Sequence, residues 1–142
     1  MTVHRFILAG SLLVFGLVVL DLPAADEVKD SPKGAATRKK LKQKVTLDFK
    51  NEQVQNIIEE IKEQIKDLTI RVDTKGGVSM NRRMSIKCKD TTLEEALDKM
   101  LGKEELGYIV ISDSKNAYDG SIFIKMGKER GYPAGQEPKK DK

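Results

Sequence analysis

The chain has 142 residues, with 26 Lys or Arg against 22 Asp or Glu and a net charge of +4. That length holds one domain with flanks, and the nearly balanced charge lacks the concentrated positive field of a dedicated nucleic-acid binder. With no Trp, three Tyr and four Phe, a stacking platform for single-stranded nucleic acid is not expected either.

His4 and Arg5 precede an uncharged apolar run at residues 6–20. The run has the length of a secretory hydrophobic region and is short for a membrane span. Asp21 ends it, and small residues follow for cleavage after Ala24 or Ala25. Residues 1–25 therefore read as a signal peptide. Retention as an N-terminal anchor is the alternative, because Leu22 and Pro23 spoil a clean small-x-small site. Cleavage removes His4, the only histidine, and leaves Cys88 as a lone cysteine in an exported chain, so no intramolecular disulfide framework is available.

Residues 26–43 are polar, contain Pro32 and Gly34, and read as a flexible basic linker. Its cluster Arg38, Lys39, Lys40 and Lys42, continued by Lys44, is either a solvated tether or a contact with anionic membrane or envelope polymer.

Residues 44–50 alternate, with Val45, Leu47 and Phe49 on one face, as a half-buried strand does. Asn51 is the expected cap of a helix striped by Val54, Ile57, Ile58, Ile61 and Ile65. A second alternating strand follows at residues 68–73, and Lys75-Gly76-Gly77 signals a turn. Residues 83–89 alternate again, with Met84, Ile86 and Cys88 inward and Lys87 and Lys89 outward. Thr92 and Glu95 form a capping box for a helix striped by Leu93, Ala96, Leu97, Met100 and Leu101, with Gly102 as its left-handed stop. Strands are predicted at residues 107–112 and 120–126, the latter with Ile122, Ile124 and Met126 on one face and Phe123 on the other. Residues 127–142, with Pro133 and Pro138, read as a disordered tail.

The predicted order over residues 44–126 is β-α-β-β-α-β-β, an α+β domain with two similar halves. No residue constellation points to catalysis, a cofactor or a metal. Adjacent carboxylates such as Glu59-Glu60 diverge on a helix, and Cys88 sits in an apolar alternation where a small buried hydrophobe is expected. Gly76-Gly77 lacks a phosphate-loop pattern.

The stretch VTLDFKNEQVQNIIEEIKEQIKDLTIRVD, followed by a strand and then TTLEEALDKMLGKEELGYIV, resembles the short N-terminal domain shared by secretins and TonB-dependent receptors, the STN family. The resemblance covers residues 45–126 and rests on packing motifs. It implies two helices packed between a two-stranded and a three-stranded sheet. It also implies a role in protein–protein docking or signalling in the periplasm or at the outer membrane. Neither a receptor barrel nor a secretin ring domain follows Met126, so a free-standing exported module with an envelope protein partner is expected. The physical route is strand addition at an open sheet edge or a groove between helix and sheet, with Lys87 and Lys89 able to blunt such an edge. The competing expectation is an electrostatic binder of anionic polymer that uses Arg38, Lys39, Lys40, Lys42 and the tail lysines.

Overall fold

Two strand–helix units that repeat one another dominate the structure, a computed structural model that describes residues 29–138. The predicted signal segment and the last tail lysines lie outside the described residues. In chain order the elements are α1 (Pro32–Leu41), β1 (Lys44–Gln53), α2 (Val54–Gln64), β2 (Ile70–Val72), β3 (Arg83–Thr92), α3 (Leu93–Gly102), β4 (Leu106–Val110), β5 (Ile122–Met126) and β6 (Arg130–Gly131). The fold is α+β, and the predicted β-α-β-β-α-β-β order stands between β1 and β5. β1 and β3 pair antiparallel as a two-stranded ribbon, and the second sheet has the order β2-β5-β4-β6. Its first three strands match the expected three-stranded sheet, and β6 is an addition.

Alternation places the ribbon's apolar face as predicted. Val45, Leu47, Met84, Ile86 and Cys88 are buried, and Phe49 packs partly against them. α2 packs on β1, while α3 touches β3 on one side and β4 on the other. Ile57, Ile61, Leu93, Leu97, Leu106, Ile122 and Ile124 meet between these layers with no exposed surface.

A shift of 39 positions carries the first unit onto the second, and its chemistry repeats. Each ribbon strand contains a bulge, marked by register breaks between Val45 and Leu47 and between Phe49 and Glu52. A left-handed residue sits at each bulge, Asn51 (φ 53°) in β1 and Asp90 (φ 52°) in β3. Asn and Asp are the non-glycine residues that adopt this conformation most readily. The bulged amides bond across the ribbon: Asn51 N–H donates to the Ser85 hydroxyl at 2.8 Å, and Asp90 N–H to the Thr46 hydroxyl at 3.1 Å. Each bulge turns its strand into a helix, and each helix start is met by the other strand's lead-in. Val54 N–H donates to the Arg82 carbonyl at 2.8 Å, and Leu93 N–H to the Gln43 carbonyl at 2.9 Å. These bonds satisfy amides that a helix start otherwise leaves open. Asp67 (φ 57°) and Glu105 (φ 56°) then turn the chain out of the two helices.

Three predictions need correction. Asn51 is the bulge residue and not the cap: the α2 cap is Gln53, which makes no side-chain capping bond. Gly102 is the last residue of α3, and the left-handed turn comes at Glu105, because residues 103–105 continue the turn before β4. Met126 keeps the predicted parity with Ile122 and Ile124 and is 45% exposed at the end of its strand. The third correction concerns both flanks.

Residues 26–43, read as a flexible linker, contain the helix α1. Ser31 caps it, accepting from Gly34 N–H at 2.9 Å, and Pro32 occupies the first turn where its missing N–H costs nothing. Gly34, Thr37 and Leu41 are buried. A Cβ on Gly34 would lie 2.2 Å from the Ser112 hydroxyl, so glycine lets the helix approach the sheet. The tail read as disordered carries β6, parallel to β4. Gly107 makes room for it: a Cβ there would lie 2.7 Å from the Glu129 backbone nitrogen. Among the described residues no helix is long and apolar enough to cross a membrane.

The bulge geometry is tested by two substitutions at exposed Asn51. Asn51→Gly should leave the denaturant midpoint within a few tenths of a kcal/mol of wild type, because glycine accepts the left-handed backbone. Asn51→Val should destabilise by about 1–2 kcal/mol, the usual cost of that conformation for a residue with a Cβ. Equal stability of the two variants would remove the bulge from its proposed role.

Candidate docking surface

The six residues expected to form contacts are distributed over two places, and only some of them are free. Arg38 is committed inside the molecule. Its Nε lies 2.8 Å from Asp30 and its Nη1 donates to the Gly131 carbonyl at 2.9 Å. The guanidinium carbon also sits 3.7 Å from the centroid of the Tyr132 ring. Arg38 thus straps α1 to β6 and is no longer an outward cation. Arg130 repeats the device from the other side, bonding Asp98 of α3 and the Leu106 carbonyl. Lys40 Nζ donates to the Asp67 carbonyl, and exposed Lys42 pairs with Glu94 at 2.9 Å. That hydrogen bond and charge hold the Lys42 ammonium above its ordinary value. Lys39 is exposed on α1. The expected basic cluster is therefore broken up by its own fold.

A cleft of about 290 Å³ lies between α1 and the starts of β2 and β5. Lys33 and Lys40 face Asp67 and Asp119 there, so its charges balance and no single ligand charge is selected. Cys88 is buried and unpaired, at the place in the apolar row where it was expected. Among the described residues no group of three His, Cys, Asp or Glu is placed to hold a metal.

Lys87 and Lys89 stand elsewhere, on the outer face of the ribbon. Along β3 the exposed positions are Arg83, Ser85, Lys87 and Lys89, alternating with buried Met84, Ile86 and Cys88. On β1 the same face carries Lys44, Thr46, Asp48 and Lys50. Two weak pairs cross it, Lys44 with Asp90 at 3.4 Å and Lys87 with Asp48 at 3.8 Å, the latter 85% and 70% exposed. The face keeps a surplus of positive charge.

Among the described residues, each ribbon strand also has a backbone edge that no other strand occupies, and the two edges differ. On β1, the Gln64 side chain at the end of α2 folds back onto Thr46. Its Oε1 accepts from Thr46 N–H at 3.0 Å, and its Nε2 donates to the Thr46 carbonyl at 2.9 Å. One amide thus imitates a neighbouring strand and closes the edge. In the repeat, Lys103 stands where Gln64 stands in the first unit, and Ser85 where Thr46 stands. An ammonium donates but cannot accept, so Lys103 cannot make the same two-way closure. Gln64, Thr46, Ser85 and Arg83 were not singled out from the sequence. Aligning the chain with itself at a shift of 39 is the signal that marks them.

The α1 strap is tested by acid and by substitution. Partial burial alone pushes the Asp30 carboxyl up, but hydrogen bonds from Arg38 and Ser112 and the charge of Arg38 outweigh it and hold it below its ordinary 3.8. Because the folded value is the lower one, this stabilisation is complete above 3.8 and is lost as pH falls through the folded value. Amide protection in α1 and β6 should therefore weaken together below that pH. Arg38→Ala should cost about 1–3 kcal/mol, the range for hydrogen bonds to charged groups. Arg38→Lys should recover only part of it, since an ammonium lacks the planar fork. Unchanged exchange in both elements would dismiss the strap.

Comparison with known proteins places the chain beside none of them: no family model, no curated protein and no solved structure matches it.

Proposed function

We propose that the chain is an exported, non-enzymatic docking module of the cell envelope, similar to an STN domain, that acts through protein contacts in the periplasm or at the outer membrane. The observation that carries this reading is the ribbon, whose ten-residue strand β3 has an outer edge that pairs with no other strand among the described residues. A free strand edge offers rows of backbone donors and acceptors to an incoming strand, which is a general mode of peptide recognition. The resemblance in the LEEAL helix and the strands around it supplies the envelope setting, and the apolar segment at residues 6–20 supplies the route of export. No cofactor is required.

The binding of anionic polymer through the α1 cations is the weaker reading, because Arg38, Lys40 and Lys42 already have partners within the chain.

Capture from an envelope extract by the immobilised full chain separates the two. At about 0.1 M salt charges interact over about 10 Å, and at about 1 M over about 3 Å. A docked protein held by strand hydrogen bonds should be retained at the higher salt, though in reduced amount. Lys39→Ala together with Lys42→Ala should leave that capture intact. Complete loss at high salt, with loss in the double variant, would replace the docking reading by polymer binding.

A further inference from the structure

The repeat makes the ribbon nearly two-fold, and the departure from that symmetry says which edge is available and for what. The Thr46 N–H and carbonyl both point away from β3, since Gln64 engages them from outside. The alternation of an antiparallel ladder extends that outward direction to Asp48. The repeat carries it to Ser85 and Lys87 on β3. The β1 edge is closed at its centre by Gln64, whereas the side chain in the matching place on β3 is Lys103.

Charge then selects the occupant. The exposed side chains along the open edge are Arg83, Lys87 and Lys89, with Ser85 between them. A second copy of β3 laid against this edge would set lysine against lysine, which is unfavourable. An incoming strand with carboxylates at alternate positions would set them against these cations, each pair favourable. Its intervening positions would run beside the row of Met84, Ile86 and Cys88 and are best filled by apolar residues. The lysines thus work as a filter that repels self-pairing and admits an acidic strand, combining exclusion with attraction.

From this asymmetry we infer that the β3 edge is the docking edge and that its partner is an extended segment alternating acidic and apolar residues. This rests on the docking reading above and names the surface and partner chemistry that the reading leaves open.

The test uses the full chain and two blocked peptides, one alternating Glu with Val and the other alternating Lys with Val. The Glu peptide should bind about tenfold or more tightly than the Lys peptide, as a few opposite-charge cross-strand pairs supply. It should slow amide exchange at Ser85 and Lys87 and leave Asp48 unchanged. Lys87→Glu with Lys89→Glu, both exposed positions, should reverse the preference. Lys87→Pro, which removes an outward N–H, should abolish binding while a thermal melt reports whether the fold is kept; the charge reversal carries the test if it is not. Equal binding of the two peptides, binding of neither, or protection along β1 would overturn the inference. Envelope-partner capture that persists undiminished in the charge-reversed variant would also overturn it while leaving the docking reading standing. Selective peptide binding without any captured envelope protein would uphold the edge chemistry and remove the docking reading.

Discussion

The crossed pair of hydrogen bonds between the ribbon strands is the constraint on which the remaining structure depends. The Thr46 and Ser85 hydroxyls each receive the amide that the other strand's bulge has freed. A bulge leaves one residue out of the ladder, and the opposite hydroxyl supplies the partner it needs. With the bulges fixed, each strand leaves the ribbon at a defined angle into its helix. The first helical amide then finds the carbonyl of Arg82 or Gln43. α2 and α3 are thereby set over the ribbon's apolar face, and α3 bridges to β4. Local conformation, hydrogen bonding and packing agree at both ends, the kind of consistency across levels by which a sequence specifies one fold.

The outer elements are held by charge-assisted contacts more than by apolar burial. α1 contributes Leu41 to the core, but its position relative to β6 is set by Arg38 on Asp30, Gly131 and Tyr132. Arg130 holds the same short strand against α3 and β4. These arginines span several acceptors through a planar fork, which a lysine cannot do. One consequence is functional: Arg38 and Lys40 of α1 are spent on the fold and Lys42 just after it is paired, while a surplus of positive charge lies on the ribbon.

Alternating strands and striped helices were legible because period two and period 3.6 are written directly in residues such as Val45-Leu47-Phe49 and Leu93-Leu97-Met100. α1 was not legible by that route. It has little apolar stripe, and Pro32 and Gly34 look like linker residues, although Ser31-Pro32 is a helix start and Gly34 is a close-contact site. β6 was hidden because a two-residue strand carries no period, and only Gly107 in the facing strand hints at the backbone passing over it. Of the candidate contact residues, Lys87 and Lys89 lie on the exposed ribbon as the alternation required. Asp30 is a near neighbour of Arg38 in the chain, but its other partners, Gly131 and Tyr132, lie more than ninety positions away, and no local pattern pairs positions so far apart. The closure of β1 by Gln64 is a tertiary contact that a helix-face reading counts only as a polar surface residue.

The ribbon joins these threads, since the repeat that builds the fold also creates two edges and a single substitution between its halves, Gln64 against Lys103, leaves them unequal. Native-state amide exchange measured residue by residue tests this most directly. Thr46 N–H should be protected and should lose that protection in Gln64→Ala, while Lys87 N–H should exchange quickly in both proteins. Protection of Lys87 equal to that of Thr46, or a Thr46 amide indifferent to Gln64→Ala, would contradict the inequality of the two edges.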